Sequence, residues 1–397
     1  MKPMEGMRVI DLSHVIAGPT CGHYLAHYGA DVVKVEPEGG DVLRAGNGRV
    51  QVDEGVSVGF ATINAGKRSI VVDLKAPEGV AALLALARDA DVFIENFRPG
   101  VVERLGLGYD AVRAINPSIV YASISGYGQE GEWGPRGAYD HVVQAFTGMM
   151  SLQGEEGDPP IKVGFPVIDA AAGMVAAQSV LAALLRRVRS GEGAYLDVSM
   201  AQAAVHLMLS PAVQAAFEGR DRPRPGNRGF SGSPGAATFR CADGWIATAA
   251  NTPAQFATLC RALGIEAVLQ DPALVDVEAL ARGAGFVVPR DPGALHARIA
   301  AAFETWQAAA LESALAALGV PAARVRTLAE FMGEWGQGGL ATAPVTRVGY
   351  PGGAVLDVGS GAKWDRRAPE APGRAPRLGE HTGVLVTSAG AAPDAAR

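Results

Sequence analysis

The sequence predicts an α/β fold: a mostly parallel sheet covered by helices, followed by a smaller α+β domain. Three observations carry this expectation. Short apolar strands alternate with amphipathic helices from the start of the chain, a Pro-, Gly- and Arg-rich stretch interrupts the alternation after Glu218, and a hairpin-like pair then leads into further helices.

The elements follow in order. Met7–Asp11 reads as a strand, Pro19–Tyr28 as a helix stopped by Gly29, and Ala30–Glu36 as a second strand, which together make a βαβ unit. The unit recurs: Ser69–Leu74 is β-rich, Pro77 opens a helix with Val80, Leu83, Leu84 and Ala87 on one face, and Asp91–Ile94 is the next strand. Ser118–Ser123 and Tyr195–Val198 add strands, with helices expected near 140–150, 170–189 and 200–217. This places a large domain at 1–218. A linker and glycine loop follow at 219–235, a small domain at 236–330, and a return to the large domain with a C-terminal tail at 331–397. In the small domain 236–240 and 244–249 read as a hairpin, with helices near 253–263, 292–304 and 308–318; 345–348 and 354–358 are β-like, and 388–397 has a disordered composition.

Composition narrows the setting. The chain of 397 residues is 48% hydrophobic and carries 35 basic against 41 acidic residues, a net charge of −6 that argues against a nucleic-acid surface. Three cysteines without C-x-x-C spacing give neither a disulfide framework nor a zinc site, and no metal is expected. The N-terminal residues offer no export signal, so a cytoplasmic protein with no membrane partner is expected; the apolar run 170–185 reads as a buried helix.

Asp169 is the most informative residue. It stands between the apolar Val163–Ile168 and the small residues Ala170–Gly173, where the pattern makes it the N-cap of the 170–189 helix. Capping alone explains an Asp there. A second role is open, because a helix dipole favours the ionised carboxylate and small neighbours leave it accessible, as a carboxylate nucleophile requires. No G-x-G-x-x-G and no P-loop follows the first strand, which removes dinucleotides and nucleoside triphosphates as expected ligands. Basic residues instead collect beside strands, Lys67, Arg68, Lys75, Arg98 and Arg104, as a phosphate rim or as solvated surface. Gly126-Tyr127-Gly128-Gln129 reads as a ligand loop.

Asp11-Leu12-Ser13 with Ala17-Gly18-Pro19, Gly29 to Glu36, Asn64 to Ser69, Glu95-Asn96-Phe97-Arg98-Pro99-Gly100, Gly126 to Gln129, Asp169 and Pro376 to Thr382 together resemble the family III CoA-transferases, a group that includes formyl-CoA transferases and α-methylacyl-CoA racemases. The resemblance implies a Rossmann-like large domain built from both chain ends, a small domain between, and an interlocked homodimer. It implies no permanently bound cofactor: coenzyme A or acyl-CoA enters as substrate, with a small carboxylic acid as the other partner. Asp169 then attacks the donor thioester to give an aspartyl anhydride, the released thiolate converts this to an aspartyl-CoA thioester, and the acceptor carboxylate runs the steps in reverse. By the same resemblance Ile16, Ala17, Val72, Asp73, Leu74, Lys75, Asn96, Phe97, Arg98, Arg104, Tyr139 and Asp140 line the CoA site, and Gly229–Gly235 falls where a glycine loop covers the intermediate.

Two departures bear on the reaction. Racemases pair a Gly-His-Asp histidine with their aspartate, whereas here the segment is Gly137-Ala138-Tyr139-Asp140-His141, and no second acid stands at Asn251-Thr252-Pro253. Transferase is therefore expected over racemase or epimerase, which remains the alternative, as does a non-catalytic binding protein in which Asp169 only caps. Formyl-CoA transferases carry Gln and Trp where this chain has Ile16 and Gly46, so a larger or less polar acid than oxalate is expected as acceptor.

Overall fold

The computed structural model describes residues 2–45, 50–336, 346–366 and 370–384. Gly46, Val345 and the tail 388–397, to which expectations were attached, lie outside the described residues.

The chain divides into two compact units, one of 1–150, 162–220 and 335–397, the other of 151–161 and 221–334. Residues 151–161, read from sequence as part of the large domain, group with the second unit. Arg224 donates to the Ser151 and Pro159 carbonyls at 3.1 Å, and the Gly226 N–H donates to the Gly154 carbonyl at 3.1 Å.

The first unit is built on a six-stranded sheet of β1 (Arg8–Asp11), β2 (Asp31–Glu36), β3 (Arg68–Val71), β4 (Val92–Glu95), β5 (Val120–Ser125) and β6 (Ala194–Ser199), ordered β3-β2-β1-β4-β5-β6. Every neighbouring pair is parallel. Strands covered on both faces need near-continuous apolar sequence, and Val9, Ile10, Val32, Val33, Ile70, Val92–Ile94 and Val120–Ala122 supply it.

The helices used below are α1 (Ala17–His27), α2 (Pro77–Ala87), α3 (Asp140–Phe146), α4 (Val167–Ser190), α5 (Met200–Leu207) and α6 (Leu209–Glu218). Pro77 sits in the first turn of α2, and Gly191, in a left-handed conformation at φ 75°, ends α4. The expected single helix at 200–217 is two, broken at Met208. Pro211 is the cause, because its ring excludes a helical carbonyl at Leu207, so it can occupy a first turn but not continue one. The helix expected over 140–150 likewise ends at Phe146, beyond which Gly148 takes φ 79°. α4 has the length and apolarity of a membrane span, and its buried Ile168, Ala172, Ala176, Val180 and Leu184 pack it against α1 and α5.

The second unit has its own core. An antiparallel sheet of β7 (Gly235–Arg240), β8 (Trp245–Ala250) and β9 (Ala322–Arg324) packs on helices 253–262, 292–303 and 308–317 through Phe239, Ile246, Phe256, Leu295, Phe303 and Leu311. Phe239 and Phe303 stack at 4.3 Å. The loop 229–235 is tied to this unit, since Gly229 N–H donates to the Ala236 carbonyl at 2.6 Å and Ser233 Oγ to the Ala250 carbonyl at 2.9 Å.

Candidate active site

In an open parallel sheet the ligand crevice lies beyond the carboxyl ends of the strands, where strand order reverses. Here the chain leaves β1 toward β2 on one side and later inserts β4 on the other, so the loops after β1 and β4 part at that point. Asn96, first after β4, bridges them: the His14 N–H donates to Asn96 Oδ1 at 2.9 Å, and Asn96 Nδ2 donates to the His14 carbonyl at 2.8 Å. Phe97 meets the His14 ring edge-on at 5.2 Å. Gly18 permits the close approach, because a Cβ there would fall 2.5 Å from Ser13 Oγ and 3.3 Å from Asn96 Cγ. Ile16 is the N-cap of α1 and Ala17, its first residue, is buried.

Asp169 reaches this level through helix packing. α1 and α4 each precede a parallel strand and therefore run in the same direction. Gly173 of α4 lies against the first turn of α1, with an added Cβ only 2.6 Å from the Ala17 carbonyl and 2.5 Å from Thr20 Cβ. Asp169, one turn earlier on the same face, accordingly stands beside the residues just before Ala17.

The expectation that Asp169 is an N-cap is corrected. α4 begins at Val167 with Pro166 as N-cap, and Asp169 is the third helical residue. The capping acceptor comes from another helix: Asp140 Oδ2 accepts the N–H groups of Ile168 at 2.7 Å and Asp169 at 3.0 Å, while its Oδ1 accepts from Gln144 Nε2 at 2.5 Å. This acceptor lets the helix start three residues earlier than the sequence pattern indicates. The expected effect of the helix dipole on its ionisation is outweighed. Burial pushes the Asp169 carboxyl up to about 7, the negative charge of Asp140 adding to the effect, so the helix terminus does not hold it low.

The other named residues distribute unevenly. Asp140 is buried with its carboxylate turned to α4, whereas Tyr139, which stands where the racemases carry their histidine, is the N-cap of α3 and 67% exposed. Val72 is buried and Leu74 packs against the same core, while Asp73 and Lys75 face solvent, the Lys75 N–H donating to Asp73 Oδ1 at 2.9 Å. Arg98 lies beside Gly137, whose Cβ would be 3.2 Å from its Nη2, and Arg104 beside Gly100. Lys75, Arg98 and Arg104 are exposed and have no carboxylate partner among the described residues. Lys67 and Arg68 leave the expected rim: Lys67 is buried and donates to Asp11 Oδ2 at 2.8 Å and to the Pro19 carbonyl at 2.9 Å, and Arg68 pairs with Asp31.

One group was missed. Glu95, at the end of β4, is buried, accepts from Ser123 Oγ and, at 2.8 Å, from the Phe97 N–H, and burial pushes it up to about 7. Gln129 completes the chain through Ser123 Oγ at 2.6 Å and Asp197 Oδ2 at 2.9 Å, which fixes the 126–129 loop across β4, β5 and β6. A Glu closing an apolar strand was the available signal.

A sheet of this order, with a buried carboxylate and exposed cations after its strands, is the frame of an α/β enzyme. The chain belongs to the CoA-transferase family III, whose model matches residues 4–382. It is 40% identical over 274 residues to a succinate–glutarate CoA-transferase of Agrobacterium fabrum, covering 68% of each chain. It is 36% identical over 272 residues to the succinyl-CoA:glutarate CoA-transferase of Mus musculus, where it covers 68% of this chain but 62% of that one. Among solved structures, a CAIB/BAIF family protein from Brucella suis matches with a TM-score of 0.84 at 28% identity, covering 98% of this chain and 99% of that one.

Proposed function

We propose that this enzyme moves CoA between succinyl-CoA and a dicarboxylic acid through covalent intermediates on Asp169. The observation that supports the reading is Asp169 in the first turn of α4, its backbone N–H held by Asp140, one turn before Gly173, which packs against Ala17 and Thr20 of α1. The carboxylate oxygen adds to the donor carbonyl and expels the CoA thiolate, giving a mixed anhydride. The thiolate then adds to the aspartyl carbonyl and expels the donor acid. The acceptor carboxylate reverses both steps and frees Asp169. A carboxyl pushed up to about 7 by burial is about half ionised at neutral pH, and its anion is poorly solvated and therefore reactive. Lys75, Arg98 and Arg104 are proposed to take the CoA phosphates, with Ile16, Ala17, Asn96 and Phe97 along its path; Val72 and Leu74, whose side chains pack in the core, contribute through backbone. The substrates follow from the relatives, named for succinyl-CoA and for glutarate.

A cytoplasmic homodimer is part of the proposal. α6 buries none of its side chains and exposes Leu209, Val213 and Phe217 along one stripe, an apolar face of the kind a second copy covers. Racemisation lacks support, because Tyr139 stands where the racemases carry their histidine.

The test is intact mass after incubation with succinyl-CoA. A CoA or succinyl adduct on Asp169 that disappears on adding glutarate is expected. An Asp169→Asn variant with full exchange activity would exclude the mechanism. Deuterium washed from heavy water into the α-carbon of a 2-methylacyl-CoA, without any acceptor acid, would favour racemisation.

A further inference from the structure

The loop between β1 and α1 holds Val15 at φ 66°, a left-handed conformation that a β-branched residue adopts only under constraint. The constraint is visible residue by residue. The Ser13 N–H donates to Asp11 Oδ1 at 3.0 Å, and the Ser13 carbonyl accepts from Lys34 Nζ at 2.8 Å. Asn96 takes both backbone groups of His14. The Val15 N–H donates to Asp41 Oδ2 at 3.2 Å, and that same oxygen pairs with Lys34 Nζ at 3.0 Å. Lys34 and Asp41 are fully or almost fully buried, and Asp41 is anchored in turn, its own N–H donating to Glu36 Oε2 at 3.1 Å. Glu36 is gripped by Arg44 through both oxygens at 2.6 and 2.7 Å. A buried ionic chain thus holds Ser13 and Val15, with Asn96 holding His14 between them.

Such a chain is an expensive way to stabilise a loop that ordinary turn residues would form unaided. Its specific product is a fixed Ser13–Val15 backbone, and with it the direction in which Ile16 and the first turn of α1 enter the crevice. We propose that Asp41, seated by Lys34, is a positioning residue for thioester binding: it holds Val15 in the strained conformation that presents Ile16 and Ala17 to the CoA moiety. This rests on the functional reading above for its ligand, but not for the strained loop itself.

The test is a double-mutant cycle between Asp41→Asn and Val15→Gly, because glycine adopts φ 66° without strain. Two readouts separate the loop from the ligand. In the free protein, Asp41→Asn is expected to speed amide hydrogen exchange over residues 13–18 by about tenfold or more, and adding Val15→Gly to return it toward the wild-type rate. With free coenzyme A as the calorimetric probe, Asp41→Asn weakens binding by about tenfold and Val15→Gly in that background restores most of the loss. If Asp41 merely stabilises the fold, the two substitutions are additive and Val15→Gly rescues nothing, which overturns the proposal. Unchanged exchange in Asp41→Asn overturns it as well. If the wild-type protein binds no coenzyme A, the functional reading fails and the assignment to thioester binding falls with it, while exchange still decides whether Asp41 clamps the loop. Should Asp41→Asn not fold, the charge-neutral pair Lys34→Met with Asp41→Asn carries the same cycle.

Discussion

Asp169→Asn is expected to make the protein more stable at pH 8.5 and to leave it nearly unchanged at pH 4. Burial, reinforced by the charge of Asp140, moves the Asp169 carboxyl from an ordinary 3.8 up to about 7. The sign follows from where the proton sits. The folded protein retains it up to about pH 7 while the unfolded chain releases it near its ordinary value, so stability is full at low pH and is lost as pH rises between those two values. At about 1.4 kcal/mol for each tenfold change, the ionised folded form carries about 4 kcal/mol of unfavourable free energy. Asparagine keeps the shape and has no charge to bury, so most of that cost disappears above pH 7. Unfolding entropy scales with chain length, and for a chain of this size about 1–2 °C accompanies each kcal/mol, so a rise in Tm of about 4–6 °C is expected at pH 8.5. Thermal unfolding of both proteins across pH 4 to 8.5 is the assay. An Asn variant equal to or less stable than wild type at pH 8.5 would refute the claim that the native site holds this carboxylate at a cost.

Further outcomes follow from the same geometry. The kcat/KM for acyl-CoA should rise with pH through about 7 as Asp169 ionises, and Asp140→Asn, which removes the charge opposing that ionisation, should move the rise to lower pH in rate profiles. Asp140→Ala leaves two N–H groups of α4 without their acceptor and should destabilise the protein by about 2–4 kcal/mol in urea titrations. Gly173→Val should cost about 1–3 kcal/mol or more through overpacking, because the added Cβ alone would fall 2.6 Å from the Ala17 carbonyl; a stability equal to wild type would show that α1 and α4 can part freely. Arg98→Ala should raise KM for acyl-CoA about tenfold with kcat little changed, in steady-state assays, if its guanidinium takes a phosphate.

The sheet was legible in the sequence because parallel strands are apolar on both faces and each helix carries its own start and stop signals, as Pro77 and Gly191 do. Asp169 was legible as a carboxylate among small residues, but its helical position was not. The acceptor that extends α4 belongs to Asp140, and a cap supplied from another helix leaves no local pattern. The basic residues show the same limit. Lys67 and Lys75 read alike in sequence, yet one is buried against Asp11 and the other faces solvent, a difference made by which elements pack over them. Asp41 and Lys34 gave no signal, since a buried ion pair between separate segments is a tertiary event. Pro211 could have been read, because a proline within a long helical pattern marks a break.

The cap from Asp140 also has a kinetic consequence. A helix whose first turn is closed by a side chain 28 residues away cannot complete that end until the intervening chain has folded back, and a loop of that length is slow to close compared with helix growth. The turn carrying Asp169 should therefore form late during folding, after the body of α4, although in the native state it is the more buried of the two helix ends. During refolding, helical signal should then recover before activity does.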